Sequence, residues 1–388
     1  MFLEKLIERN PKLIECAFHM HQEGKLLPDT YILDLDSILY NAREMKKEAD
    51  RCGIDLYFML KQIGRNPIIG QELMKLGFKG AVAVDYREAL CYIDNGIHLS
   101  NVGHLVQIPK AAMDRTILAK PDYVTVYSYE KILEINEAAG RCGTDQKLLI
   151  RVSDPDSQLY SGQIGGFHSD ELEELFQKID ALEHVSVGGL TVFPALLYAE
   201  KENAILPTAN IKAMERARKI ALEHGYQDLN INLPSATCIA SIPLISELHG
   251  TSGEPGHGLT GTTPLHKHSE QIEVPAYVYV SEVSHQYDGK SYCYGGGHYR
   301  RGHMENALAG KDPNSAVLTK VVAPDDDSID YHFEIADPLP VGDCVLMAFR
   351  TQIFTVRSQV AVVSGIQDGK PELLGLYSAL GERLERNW

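Results

Sequence analysis

Between about residue 53 and residue 253 the chain alternates short apolar runs with amphipathic stretches. This texture predicts strands separated by helices. The strand-like runs are 55–61, 79–84, 98–102, 123–127, 147–152, 186–192, 229–232 and 248–253. Helical spacing appears near 66–76, 86–95, 107–118, 129–142, 169–182, 207–224 and 236–246, and an earlier helical stretch, 37–52, precedes the first run. Each strand is joined to the next by a helix, so the pattern predicts a closed (β/α)8 barrel, with an open doubly wound sheet as the alternative. Near residue 270 the texture changes. Runs at 276–283, 316–322, 329–335, 343–347 and 353–363, with turn signals at Asp288-Gly289 and Asp368-Gly369, predict an all-β domain. Leu3, Leu6, Ile7, Leu13 and Ile14 recur at helical spacing around Pro11. The expected organisation is a helical extension over 1–27, a barrel over 28–270 and a C-terminal β domain over 271–388.

Composition narrows the function. The formal net charge of −16 argues against nucleic acid or an anionic membrane as partner, since phosphate backbones need clustered Lys and Arg. No apolar run approaches the ~20 residues of a membrane span, and charged residues interrupt the N-terminal stretch where a signal peptide would need an apolar core. The seven cysteines are scattered without a CxxC pair, as expected of reduced thiols in a cytoplasmic protein. His266, His268, His298 and His303 match no zinc spacing, so no metal is expected.

In a barrel, catalytic groups sit at the C-terminal ends of strands. The first run ends in Lys61. Desolvation at the end of an oily strand lowers a lysine's pKa, and a neutral amine attacks aldehydes. From this run alone, a lysine snorkelling to solvent is the plainer reading. Later strands end in Asp85, in Asn101 and His104, in Tyr127 and Ser128, in Arg151 and Ser153, and in Phe193-Pro194. The seventh runs into Pro234-Ser235-Ala236-Thr237 and the eighth into Glu254-Pro255-Gly256-His257-Gly258. Barrels often bind phosphate on these last two loops. Ser235 precedes a helical stretch whose free N–H groups favour an anion, and Gly256 and Gly258 allow close backbone approach. A helix cap and a tight turn would look the same. Gly256-His257-Gly258-Leu259-Thr260-Gly261 fits G-x-G-x-x-G, but it follows the last strand and runs into Pro264 instead of opening an early helix, so it is no dinucleotide fingerprint. Glu254, beside the phosphate loop, would hold a pyridine nitrogen protonated. An isolated surface glutamate is the plainer alternative.

Taken together these residues resemble the fold type III pyridoxal phosphate enzymes of the alanine racemase superfamily. Lys61-Gln62-Ile63-Gly64-Arg65-Asn66-Pro67 is similar to the ornithine-racemase-type branch, and Tyr31 to Asp36 with Asn41 looks like the stretch before the first barrel helix. The resemblance implies a barrel followed by a β domain, pyridoxal 5′-phosphate bonded to Lys61, and a homodimer. Ser235, Gly256 and His257 then match the phosphate-binding segments. Glu254 stands where racemases place an arginine, in a Glu-Pro-Gly motif like that of the decarboxylases. Phe193 stands near the position of a ring-stacking histidine. Cys293-Tyr294-Gly295-Gly296-Gly297-His298-Tyr299-Arg300 is similar to the racemase segment carrying a second acid/base tyrosine, which implies that role for Tyr294, with Cys293 and His298 as chemically able neighbours. Arg151 or Arg300 is the expected ligand of a substrate carboxylate. The implied activity is amino-acid racemisation or epimerisation through a carbanion at the α-carbon. A lyase or decarboxylase, or a non-catalytic cofactor carrier, is the alternative.

Overall fold

The alternating texture folds into a closed ring of eight parallel strands in the computed structural model, which describes residues 2–325, 327–386 and 388. In chain order these are β1 (Asp55–Phe58), β2 (Gly80–Ala83), β3 (Leu99–Val102), β4 (Tyr123–Val126), β5 (Gln146–Arg151), β6 (Val185–Thr191), β7 (Asn230–Asn232) and β8 (Ser252–Gly253). Each strand pairs with the next, and β8 closes on β1 through Ser252 opposite Asp55. The open-sheet alternative is therefore excluded.

Local chemistry explains the intervening helices. Asp85 accepts the Glu88 N–H at 2.8 Å and caps the helix Tyr86–Asp94. Ser128 caps Tyr129–Cys142, which ends at Gly143 in the left-handed region (φ 63°). Two of the polar strand-end residues are thus helix caps. The first and last strands are shorter than their apolar runs. After Phe58 the chain passes into a 3-10 turn, Lys61–Ile63. Before Ser252 it must leave the helix Ile242–Glu247 through His249 (φ 59°), and a side chain at Gly250 would strike Ile245 and Leu233. A hairpin, Leu196–Ala199 with Ala204–Pro207, is inserted between β6 and the helix Asn210–His224.

The barrel unit comprises residues 45–60 and 70–256, and a second unit comprises residues 1–44, 61–69 and 257–388. A mixed ten-stranded sheet runs through the second unit in the order 290–294, 332–335, 317–322, 306–310, 344–347, 277–287, 30–34, 359–364, 372–377, 383–384. Strand 290–294 also pairs with 277–287. The stretch Thr30–Asp34 is a central strand here, antiparallel to 277–287 and parallel to 359–364. All five of its residues are buried, as a central strand requires. The helices Phe2–Arg9 and Pro11–Gln22 lay Leu3, Leu6, Leu13 and Phe18 on Ile32, Val278, Leu346 and Val363 to form the core of this unit. Among the described residues no helix is long and apolar enough to cross a membrane.

Candidate active site

In the barrel unit polar residues at the strand ends and just past them form two connected groups. Glu254 follows β8, and its N–H donates to the Thr237 hydroxyl at 3.1 Å. Only 4% of Glu254 is exposed. Burying a carboxylate is costly unless donors surround it. The Asn101 amide donates to Oε1 at 3.4 Å, and the His104 Nε2 stands 3.7 Å from Oε2. Asn101 is oriented in turn by the Thr125 hydroxyl, which donates to its Oδ1 at 2.7 Å. A polar line thus runs from β4 through β3 to the loop after β8.

The second group centres on Arg151, whose exposure is 1%. Its Nη1 donates to the Tyr127 hydroxyl at 2.8 Å and its Nη2 to the Gln163 carbonyl at 2.7 Å. The guanidinium lies over Tyr127 and Phe193, 4.9 and 5.8 Å from the ring centroids. Phe193 meets His104 edge-on at 5.0 Å, which joins the two groups. Both Nη atoms of Arg151 are therefore already engaged with protein.

The loop after β7 stores strain. Ser235 and Ala236 both sit in the left-handed region, at φ 89° and 50°. For residues with a side chain this costs roughly 1–2 kcal/mol each. The turn is held by the Ser241 hydroxyl, which donates to the Ala236 carbonyl at 2.9 Å. Such strain gathers at ligand clamps. Gly256 is buried in the following loop.

In the second unit Lys61 is partly buried, with its ammonium 6.0 Å from the Phe354 ring centroid. The Arg65 guanidinium lies 5.3 Å from the same centroid. Thr351 ties this region together. Its hydroxyl donates to the Gln62 carbonyl at 2.8 Å, and its own carbonyl is 2.9 Å from His257 Nε2. A carbonyl only accepts, so Nε2 carries the proton. Burial, helped by the charges of Arg350 and Lys61, holds the His257 imidazole well below the usual histidine range.

Strand alternation sorts the segment that carries Tyr294. Cys293 is opposite Phe333 and fully buried, and burial pushes its thiol up to about 12. The next residue, Tyr294, points the other way and is 42% exposed. Beyond it the Gly296 and His298 N–H groups both donate to Asp330 Oδ2 at 3.1 Å, and Arg357 Nη1 holds Oδ1 at 2.8 Å. Arg300 is exposed in the following turn. Of the histidines weighed as metal ligands, His266 is buried against Glu273 at 3.3 Å and Thr263 at 2.6 Å. Among the described residues no three His, Cys, Asp or Glu side chains gather as a metal site would require.

Sequence profiles agree with this architecture. The alanine racemase N-terminal domain matches residues 33–264, and the YhfX-like C-terminal domain matches residues 278–373. The chain belongs to the alanine racemase family. This alanine racemase family protein is 42% identical over 385 residues to the uncharacterized protein YhfX of Escherichia coli strain K12, covering 99% of this chain and all of that one. Its fold resembles that of an alanine racemase from Clostridium difficile 630 in complex with cycloserine, with a TM-score of 0.66 at 17% identity over 91% of this chain and 99% of the other. A D-threonine aldolase from Filomicrobium marinum is equally similar, with a TM-score of 0.66 at 15% identity over 91% and 95%. At these identities the structures speak for the fold alone, and they carry more than one reaction on it.

Sequence reasoning named Asn101, Tyr127 and His104 without giving them a role, and it passed over Thr351 and Phe354. Asn101 and Glu254 are separated by 153 positions. No local pattern signals such a pairing.

Proposed function

We propose that this protein is a pyridoxal 5′-phosphate-dependent enzyme acting on an amino acid, as a racemase or epimerase. The observation that carries the reading is Glu254, a carboxylate buried past a barrel strand with an amide and an imidazole as neighbours. Such a group suits a ligand that brings a positive N–H. The strained Ser235-Ala236 turn suits a phosphate. The residues present therefore fit the cofactor of the family. Lys61 would hold it covalently, and Glu254 would face its ring nitrogen. Ser235, Gly256 and His257 would take the phosphate, and Phe193 the ring face. When bound, the cofactor supplies an acceptor for the electron pair left at the α-carbon when a bond there breaks.

The protein's own groups then move the protons. Once displaced by the amino group of the substrate, the Lys61 amine would be free to take a proton from one face of the α-carbon. The exposed Tyr294 hydroxyl returns one on the other face, across a homodimer interface. Burial and a raised thiol pKa make Cys293 a poor donor by comparison. Arg300, exposed, suits the substrate carboxylate better than Arg151, whose Nη atoms are engaged. One observation favours a second reading, a lyase or decarboxylase: Glu254, rather than an arginine, is the residue proposed for the ring nitrogen, and it favours a stabilised carbanion.

Two experiments test the reading. Borohydride reduction of the reconstituted protein should place the cofactor label on the Lys61 peptide and nowhere else. Incubation with single amino acids in D2O should show deuterium entering the α-position with inversion. Loss of CO2 without inversion would select the second reading, and an unlabelled Lys61 peptide would remove both.

A further inference from the structure

His104 lies just past β3, with Phe193 and Glu254 against its ring. Phe193 meets it edge-on at 5.0 Å with an interplanar angle of 86°. On the Glu254 side its Nε2 stands 3.7 Å from Oε2, and the two side chains are 1% and 0% exposed. The His104 carbonyl accepts from the Tyr127 hydroxyl. Glu254 and Tyr127 are among the titratable groups around it, and Arg151 lies behind Phe193. Asn101 donates to the other Glu254 oxygen, and its charge does not change with pH. Histidine is the side chain whose charge does change near neutrality.

A carboxylate out of water can fully compensate one cation at a time. With His104 protonated, the Glu254 charge is already matched. With His104 neutral, the carboxylate loses that compensation and attracts another cation more strongly. We propose that His104 is a positioning residue that competes, through its own proton, with the protonated ring nitrogen of a pyridine ligand for the Glu254 carboxylate. This rests on the reading of Glu254 as the ring-nitrogen partner. Linkage makes the effect reciprocal. A pyridinium ligand binds more tightly once His104 has lost its proton, and bound ligand lowers the pKa of His104 by the same factor.

The probe is 4′-deoxypyridoxine 5′-phosphate, which has the ring and the phosphate but no aldehyde for Lys61. Its dissociation constant is measured by fluorescence at pH 5.5 and pH 8, for the full-length protein and for His104→Gln. Glutamine keeps a donor and does not titrate. Because the ligand's own ionisation affects both proteins alike, the ratio of their constants is the readout. We expect wild type to bind about tenfold more weakly than the variant at the lower pH and about equally at the higher, a factor corresponding to roughly one pKa unit. The His104 C2 proton, followed by NMR in wild type, should titrate about one unit lower with the probe bound than without it. This second measurement needs no folded variant. A constant ratio, or a His104 titration unmoved by saturating probe, overturns the inference. No probe binding by either protein, together with no borohydride label on Lys61, removes the cofactor reading and this inference with it.

Discussion

Replacing Gly296 by alanine should be among the most damaging single-atom additions to the second unit. Gly296 is at φ 133°, and a Cβ there would lie 2.5 Å from Asp29 Cγ and 2.8 Å from its Oδ1. Asp29 has little room to retreat, since Tyr279 donates to Oδ1 at 2.8 Å and Ser358 also bonds it. The backbone is pinned from the other side, where the Gly296 N–H is held by Asp330. The disfavoured φ costs about 1–3 kcal/mol and the overpacking about 1–3 more, so a loss of about 2–6 kcal/mol is expected. Gly289→Ala is the control. It has φ 75° but nothing within 4 Å of the new Cβ. Only the backbone cost of about 1–2 kcal/mol applies there. Urea unfolding followed by circular dichroism gives both midpoints. Adding Asp29→Ala to Gly296→Ala should return part of the loss, whereas adding it to Gly289→Ala should not. Equal losses for the two glycines, or no coupling to Asp29, would refute the steric reasoning.

Burial raises the Asp29 carboxyl from 3.8 to about 6. A raised folded-state value gives stability that is present below the unfolded pKa and lost as pH rises through about 6. The stability of wild type relative to Asp29→Asn should therefore fall between pH 4 and pH 7, by on the order of 2–3 kcal/mol, read from urea midpoints at the two ends. Iodoacetamide on the folded protein should label Cys52, Cys91 and Cys142, which are partly exposed, well before the buried Cys16, Cys238, Cys293 and Cys344, and peptide mass mapping gives the order. Leu6→Ala, in the core beneath the sheet, should cost about 2–5 kcal/mol in the same urea assay. Tyr294→Phe should leave the absorbance of bound cofactor unchanged and abolish exchange with inversion in D2O.

The barrel was legible because the buried parallel strands are short apolar runs set off by helices, some of them capped. Asp85 and Ser128 mark two of those caps within a few residues of the strand they follow. Thr30–Asp34 was not legible as a strand of the other sheet. Its partners are residues 277–280 and 359–363, and nothing near it in sequence shows the pairing. Strands 290–294, 306–310 and 372–377 were missed for a related reason. Ser291 takes a buried position in the first, Asn306 opens the second and Gly375 interrupts the third, which blurs the two-residue period. Lys61, Ser235 and Glu254 stood out by type and place. The Asn101 and His104 contacts with Glu254 became visible only once β3 and β8 were arranged around one ring.

The parallel pairing of residues 30–34 with 359–363 has a consequence for biosynthesis. Residues 30–34 leave the ribosome well ahead of the strand they pair with, and they wait without it while the barrel segment is made. Residues 55–253 supply every barrel strand and are complete long before that partner emerges. The ring can close early, while the N-terminal helices and their strand wait with their oily faces uncovered. Deleting the segment after residue 358 should therefore leave a nascent product that solubility tags and chaperones rescue poorly, because the segment left unpaired is at the opposite end of the polypeptide.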